Sequence, residues 1–172
     1  MRSHVRIIDR GAQKAFSDIE NSREMRVAYG RMAVIYGNDL YGRWTRLAAG
    51  GTDRGRWIPL KKSTIKRKGG DRRILIRSGR QISAVRPGRV GNKLELKKDG
   101  FAMGFSNISR GDGITFQRLG NIHTFGASKG KWRVPSRPMF TDPSKDTMDE
   151  FEHELFKAVH GIIQKNAKGR RR

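Results

Sequence analysis

The segment Trp57-Ile58-Pro59-Leu60, with Thr64 close behind it, is the first of three short signatures that set corners in this chain. The second is Ile74-Leu75-Ile76-Arg77-Ser78-Gly79, and the third joins His123-Thr124-Phe125-Gly126 to Val134-Pro135-Ser136-Arg137-Pro138-Met139-Phe140. Pro59 fixes its own φ and favours an extended Ile58, so one segment ends at Trp57 and another begins at Leu60. Taken singly, such residues are typical of turns around a small core.

In this order, the three signatures resemble the phage virion morphogenesis or tail completion family, small proteins at the head-tail junction of tailed bacteriophages. The resemblance covers roughly residues 55 to 160. The matching positions, to which it assigns structural roles, are Trp57, Pro59, Leu60, Thr64, Gly79, His123, Phe125, Gly126, Pro135, Arg137, Pro138 and Phe140. For His123 that role is a structural hydrogen bond. The sequence departs from the family pattern at Arg80, where an apolar residue is expected, and at Met139, which is inserted before the expected aromatic residue.

The resemblance implies a structural subunit and not an enzyme. Such a subunit forms a ring, of six copies by analogy with tail tubes of this kind, and helps to join the tail to a DNA-filled head. The implied partners are other copies of itself, neighbouring neck, tail terminator or tail tube proteins, and viral DNA in the channel. The implied location is the virion, after assembly in the host cytoplasm, with no cofactor and no membrane partner.

Length and composition indicate one domain with a modest core. The chain has 172 residues, of which only 35% are hydrophobic, so part of its packing is expected against neighbouring subunits. It has no cysteine, which excludes disulfides and thiolate metal sites and suits a reducing cytoplasm. The longest apolar run, Met32 to Tyr36, is far shorter than the roughly 18 residues of a membrane span, which predicts a soluble protein.

The positive charge is unevenly placed along the chain. The formal net charge is +22, and residues 142–172 contribute only +1 of it, from 7 basic and 6 acidic side chains. Between Arg54 and Lys98, 16 basic residues face only Asp71 and Glu95. A field of this density attracts polyanions, although a charge run is often only a solvated surface. The predicted contacts with nucleic acid or an acidic partner are Lys61, Lys62, Lys66, Arg67, Lys68, Arg72 and Arg73.

The pattern of apolar residues predicts an α+β fold, with a small antiparallel sheet packed against two long helices and with basic loops at 50–73 and 107–113. Residues 23–168 form the domain, after a strand and irregular arm at 1–22 and before a basic tail at 169–172. The first helix, 23–48, has an apolar stripe at spacings of three and four: Met25, Tyr29, Met32, Tyr36, Leu40, Trp44 and Leu47. Its glycines, Gly30, Gly37 and Gly42, indicate either close approach of another backbone or a kink.

The remaining elements follow from alternation and from capping residues. Residues 61–68 favour a short helical turn, and segments 90–97 and 101–105 alternate around Lys98-Asp99-Gly100, which predicts a hairpin. The last helix, 142–168, is expected to begin with Asp142 as N-cap and Pro143 in first position. Its predicted buried stripe consists of Met148, Phe151, Leu155, Val159 and Ile162.

No arrangement of residues indicates catalysis. His153 and His160 are seven apart, about 10 Å along a helix, which is too far for one metal ion. Residues 126–131 have three residues between glycines and are followed by Trp132, unlike a phosphate-binding loop. Asp71 and Asp112 lie in Gly-rich segments where Asp commonly forms turns. Besides the connector, composition leaves open a sequence-independent nucleic-acid-binding protein of ribosome-associated or packaging type.

Overall fold

The fold is α+β, as predicted. The computed structural model describes residues 14, 17–49, 58–73, 79–111, 113–129 and 132–169. The helices are α1 (Arg23–Ala48), α2 (Lys62–Arg67), α3 (Arg80–Ser83), α4 (Phe116–Phe125) and α5 (Lys145–Gly169). The strands form two antiparallel hairpins, β1 (Asn92–Lys97) with β2 (Gly100–Phe105), and β3 (Ala127–Lys129) with β4 (Trp132–Val134). The predicted strand at 4–9, the loop at 50–57 with Trp57, and residues 170–172 lie outside the described residues.

Helix α1 is the element on which the others pack. Ser22 caps it, because its hydroxyl accepts a hydrogen bond from the Met25 amide at 3.2 Å. Its predicted apolar stripe is confirmed: Met25, Tyr29, Met32, Leu40 and Trp44 are buried, and Tyr36 and Leu47 are half-buried. The stripe therefore faces the protein along the whole helix.

Two hydrophobic clusters share this helix. In the first, the C-terminal half of α1 packs through Leu40, Trp44 and Ala48 against Ile82, Val85 and Met139. In the second, its N-terminal half packs through Met25, Ala28, Tyr29 and Met32 against Phe151, Ala158 and Ile162 of α5. Tyr36 lies between the clusters and contacts both.

The predicted hairpin covers both clusters with its aromatic residues. Phe101 lies 6.2 Å from Tyr36 and 6.1 Å from Phe151 between ring centroids. Phe105 lies 6.3 Å from Trp44 and 5.1 Å from Phe140. The first strand begins at Asn92 and not at Val90, because residues 84–91 form turns in which Gly91 has φ of 91°. The Asn92 side chain donates to the Ala84 carbonyl at 3.0 Å across these turns.

The start of α5 differs from its prediction. The helix begins at Lys145, and Ser144 is its N-cap, since its hydroxyl accepts a hydrogen bond from the Thr147 amide at 3.2 Å. Asp142 lies before the helix, where its carbonyl accepts a hydrogen bond from Arg43 Nη1 at 3.0 Å.

The buried stripe of α5 is correct except at its first member. Phe151 and Ile162 are buried and Leu155 and Val159 are half-buried, but Met148 is 45% exposed. Thr147 occupies the inward position instead, where its hydroxyl lies 2.7 Å from the Ser144 hydroxyl. Thr147 lies four residues before Phe151, on the same face of the helix, and is therefore its first inward-facing residue.

Only one of the three helical glycines marks a close approach. A Cβ at Gly37 would lie 2.6 Å from Pro87 Cδ and 2.9 Å from the Val85 carbonyl oxygen. No atom of the described residues lies within 4 Å of such a Cβ at Gly30, so no close approach is seen there. Residues 17–20 form a helical turn where an irregular arm was predicted.

None of the described helices combines the length and hydropathy needed to span a bilayer.

We predict that Phe151→Ala lowers the free energy of unfolding by about 3–5 kcal/mol, because it leaves a cavity between α1, α5 and β2. Phe156→Ala is the matched control on the same helix, since Phe156 is 70% exposed, and it should cost less than about 0.5 kcal/mol. Urea unfolding followed by circular dichroism measures both. Equal losses would show that the inward face of α5 has been assigned incorrectly.

Candidate polyanion-binding surface

The basic segment, residues 58–73, consists of four residues without regular structure, one short helix and a tight turn. Lys61 is extended, and α2 is followed by two glycines with positive φ, Gly69 at 68° and Gly70 at 91°. The amide of Gly70 donates to the Ile65 carbonyl and that of Gly69 to the Lys66 carbonyl, which is the Schellman arrangement. The predicted helical turn is therefore confirmed.

The seven predicted cationic residues fall into two groups. Lys61, Lys62, Lys66, Arg67 and Arg72 are exposed. Lys68 and Arg73 instead interact with Asp71. Lys68 Nζ lies 3.7 Å from Asp71 Oδ2. Arg73 donates hydrogen bonds to Asp71 Oδ1 from its backbone amide at 2.9 Å and from Nε at 3.1 Å. These bonds, chiefly those from Arg73, lower the pKa of Asp71 to about 2. Asp71, which the sequence alone indicates only as a turn former, therefore organises the end of the segment.

A buried arginine, Arg137, anchors the basic segment to the rest of the protein. Arg137 is 4% exposed, and its Nη2 donates to the Ile58 carbonyl at 3.0 Å. Its backbone amide donates to the His123 carbonyl. The first and third signatures, 79 residues apart at this contact, thus meet at one side chain. Leu60 adds to the anchor by packing on the first hydrophobic cluster.

The turn after α4 requires glycine. Gly126 has φ of 76°, and a Cβ on it would lie 2.9 Å from the Val134 carbonyl oxygen. The Ser136 hydroxyl closes the same corner by donating to the Thr124 carbonyl at 2.6 Å. The end of α4 and the chain after β4 therefore form one rigid corner beside Arg137.

The other residues that match the family pattern lie in different environments. Phe140 packs against Trp44 and Phe105, Thr64 is half-buried, and Gly79 has φ of 71° at the start of α3. Pro135 is half-buried, whereas Pro59 and Pro138 are exposed and Phe125 is 79% exposed. Phe125 is therefore not a core residue. Met139, the insertion relative to the family pattern, is fully buried in the first cluster.

His123 lies close to this corner in an environment that disfavours its charged form. Burial, with the nearby positive charges of Arg137 and Arg110, lowers the pKa of His123 from 6.5 to about 4. Its Nδ1 is buried and has no hydrogen-bond partner among the described residues. The backbone carbonyl of His123 accepts from the Arg137 amide; a structural hydrogen bond of the His123 side chain stays a prediction.

Within the described ranges, no group of three or more His, Asp or Glu residues is placed to hold a metal ion. Comparison of the chain with protein-family models, with curated proteins and with solved structures finds no match.

We predict that His123 makes the folded state sensitive to acid. Between pH 6.5 and 4 the unfolded chain binds a proton at this position and the folded protein does not, so the free energy of unfolding falls as the pH drops. At pH 5 the loss is about 1–2 kcal/mol. His123→Gln should remove that part of the pH dependence in urea titrations, whereas His153→Gln, at an exposed position of α5, should retain it. The assignment is wrong if both variants keep the wild-type slope.

We predict that replacing Lys61, Lys62 and Lys66 with Gln weakens the binding of duplex DNA. The slope of log K against log salt should become shallower by up to about 0.9 for every phosphate that the variant no longer neutralises. The matched control replaces Arg26, Lys97 and Arg118, three exposed cations outside the basic segment, with Gln. Fluorescence anisotropy at several salt concentrations measures both. If the two triple variants change the slope equally, the segment is an ordinary solvated surface.

Proposed function

We propose that this protein is a structural subunit of the head-tail junction of a tailed bacteriophage, of the tail completion type. In this role it forms a ring with copies of itself, completes the tail and helps to join it to a DNA-filled head. The observation that carries the proposal is the meeting of the first and third signatures at buried Arg137. The resemblance to the tail completion family rests on those same signatures.

The chemistry of that meeting point suits a scaffold. Arg137 uses its guanidinium to satisfy the Ile58 carbonyl, and burial lowers the pKa of this guanidinium. A buried charged group that is held by main-chain carbonyls fixes backbone geometry, and its loss leaves an acceptor unsatisfied. The role supported here is to hold the basic segment in a defined orientation relative to the corner at Gly126.

The surface of the subunit supports contacts with further copies. The first half of α5 exposes Asp146, Asp149, Glu150 and Glu152, while the basic segment exposes cations. On the same helix Phe156 is 70% exposed and stacks on His160, and Ile163 is 55% exposed. A subunit with one acidic and one basic surface can join head to tail, the type of contact from which rings are built. Six copies per ring remains the number implied by the resemblance.

The test is to delete the gene from the genome that carries it and to examine lysates by electron microscopy. We expect DNA-filled heads and separate tails to accumulate, and a plasmid copy to restore joined particles. Arg137→Lys should restore fewer of them, because an ammonium group cannot reproduce the guanidinium geometry. Arg118→Lys, an exposed substitution on α4, should restore them fully. Joined particles in the deletion strain would refute the proposal.

The exposed cations of the basic segment favour a second candidate, a sequence-independent nucleic-acid-binding protein. This second candidate and the connector are both expected to bind DNA, but they are expected at different places in the infected cell. Under this alternative the protein sediments with ribosomes or with nucleic acid in cells that make no particles, and no ring is seen. Under the connector proposal, an antibody against the protein labels the junction between head and tail.

A further inference from the structure

A cavity of about 490 Å³ opens where α3, the turn before β1 and the loop after β2 come together. Its lining includes three arginines from these three segments, Arg80, Arg89 and Arg110, and the side chains of Ser83 and Ser109. None of the lining residues is acidic. The cavity is separate in sequence from the basic segment.

The charge of this cavity is not neutralised by the lining itself. Arg80 and Arg89 are exposed, and within the part of the chain that the structure describes neither forms an ion pair. Asp112, which follows Gly111, lies outside the described residues. A concave surface with several cations concentrates anions more strongly than a flat surface with the same charge.

Two of the three arginines are held in place by the protein. Arg80 Nη1 donates to the Arg110 carbonyl at 2.6 Å, which ties α3 to the loop. The Arg110 guanidinium lies 5.8 Å from the centre of the Phe116 ring, and Phe116 is 2% exposed. The Gly111 amide donates to the Ser109 hydroxyl at 3.2 Å, which shapes the same loop. A ligand therefore meets side chains that have already lost much of their freedom, so binding costs less entropy.

We propose that this cavity binds a phosphate group of a nucleic-acid backbone. One planar guanidinium satisfies a carboxylate through two parallel hydrogen bonds. Three guanidiniums from three segments, with two hydroxyls, fit a tetrahedral phosphate better, because its oxygens accept from several directions. The proposal also gives a function to Arg80, the position at which the second signature departs from the family pattern. It does not depend on the head-tail assignment.

The experiment compares full-length Arg80→Gln/Arg89→Gln with full-length Arg26→Gln/Lys97→Gln. Both pairs remove two positive charges from exposed positions; they differ in location and in the hydrogen bond that Arg80 makes to the Arg110 carbonyl. Affinity is measured by fluorescence anisotropy for a short DNA duplex and for a poly-glutamate peptide. We expect the cavity variant to lose about tenfold more DNA affinity than the control, and no more peptide affinity than the control. Arg80→Lys/Arg89→Lys keeps the positive charge but not the planar guanidinium, so its loss of DNA affinity should lie between those of the wild type and the Gln variant.

Two results would overturn the proposal. Equal loss of DNA affinity in the cavity variant and the control would show that the cavity is not a site. A selective loss of peptide affinity would show that it binds carboxylates of a protein. Thermal unfolding of each variant verifies the fold. If the double variant is unfolded, Arg89→Gln alone serves, because Arg89 is exposed and its side chain forms no ion pair with another described residue. Failure of the gene deletion to separate heads from tails would leave these measurements unchanged.

Discussion

Both hydrophobic clusters are built on α1, and the burial of its apolar stripe is the constraint on which the other elements depend. Helix α5 packs on the N-terminal half of α1, and α3 with Met139 packs on the C-terminal half. The β1–β2 hairpin crosses both halves through Phe101 and Phe105. Since hydrophobic burial is the main favourable term in folding, no one of these elements is expected to hold its position without α1.

A buried polar network on the same helix fixes where α5 begins. Arg43 is 5% exposed, pairs with Asp39 at 2.9 Å and donates to the Thr141 hydroxyl at 2.8 Å. The Tyr36 hydroxyl donates to the Thr141 carbonyl at 2.6 Å. Such a network adds little net stability, because burying charges is costly, but breaking it is strongly destabilising. Its effect here is to hold Thr141 and Asp142 against α1, before the helix that Ser144 caps.

The sequence was sufficient to predict those features that follow from periodicity or from local turn chemistry. The stripe of α1, the β1–β2 hairpin and the turn at Gly69 and Gly70 are of this kind. The error at Asp142 involves a long-range contact, since its carbonyl accepts from Arg43, about 100 residues away in the chain. The error at Met148 arose because a polar residue, Thr147, takes the inward position. The β3–β4 hairpin was missed because its strands have three residues each, too few to show alternation.

The candidate site was predicted in composition but not in arrangement. The density of cations around residues 61–73 was evident, whereas the division that Asp71 makes among them depends on its contacts with Lys68 and Arg73. The meeting of Ile58 with Arg137 is a long-range contact without a local pattern. The cavity at Arg80 had one signal in the sequence, a cation in a position where an apolar residue was expected.

The length of α1 has a mechanical consequence. Its 26 residues span about 39 Å, and a continuous helix is stiff along its axis. The basic segment contacts the C-terminal half of α1 through Leu60, which packs on the first cluster. Helix α5 packs on the N-terminal half of α1 in the second cluster. Because both clusters lie on one continuous helix, the distance between the cluster that holds Leu60 and the cluster that holds α5 is set by the helix rise and not by flexible chain.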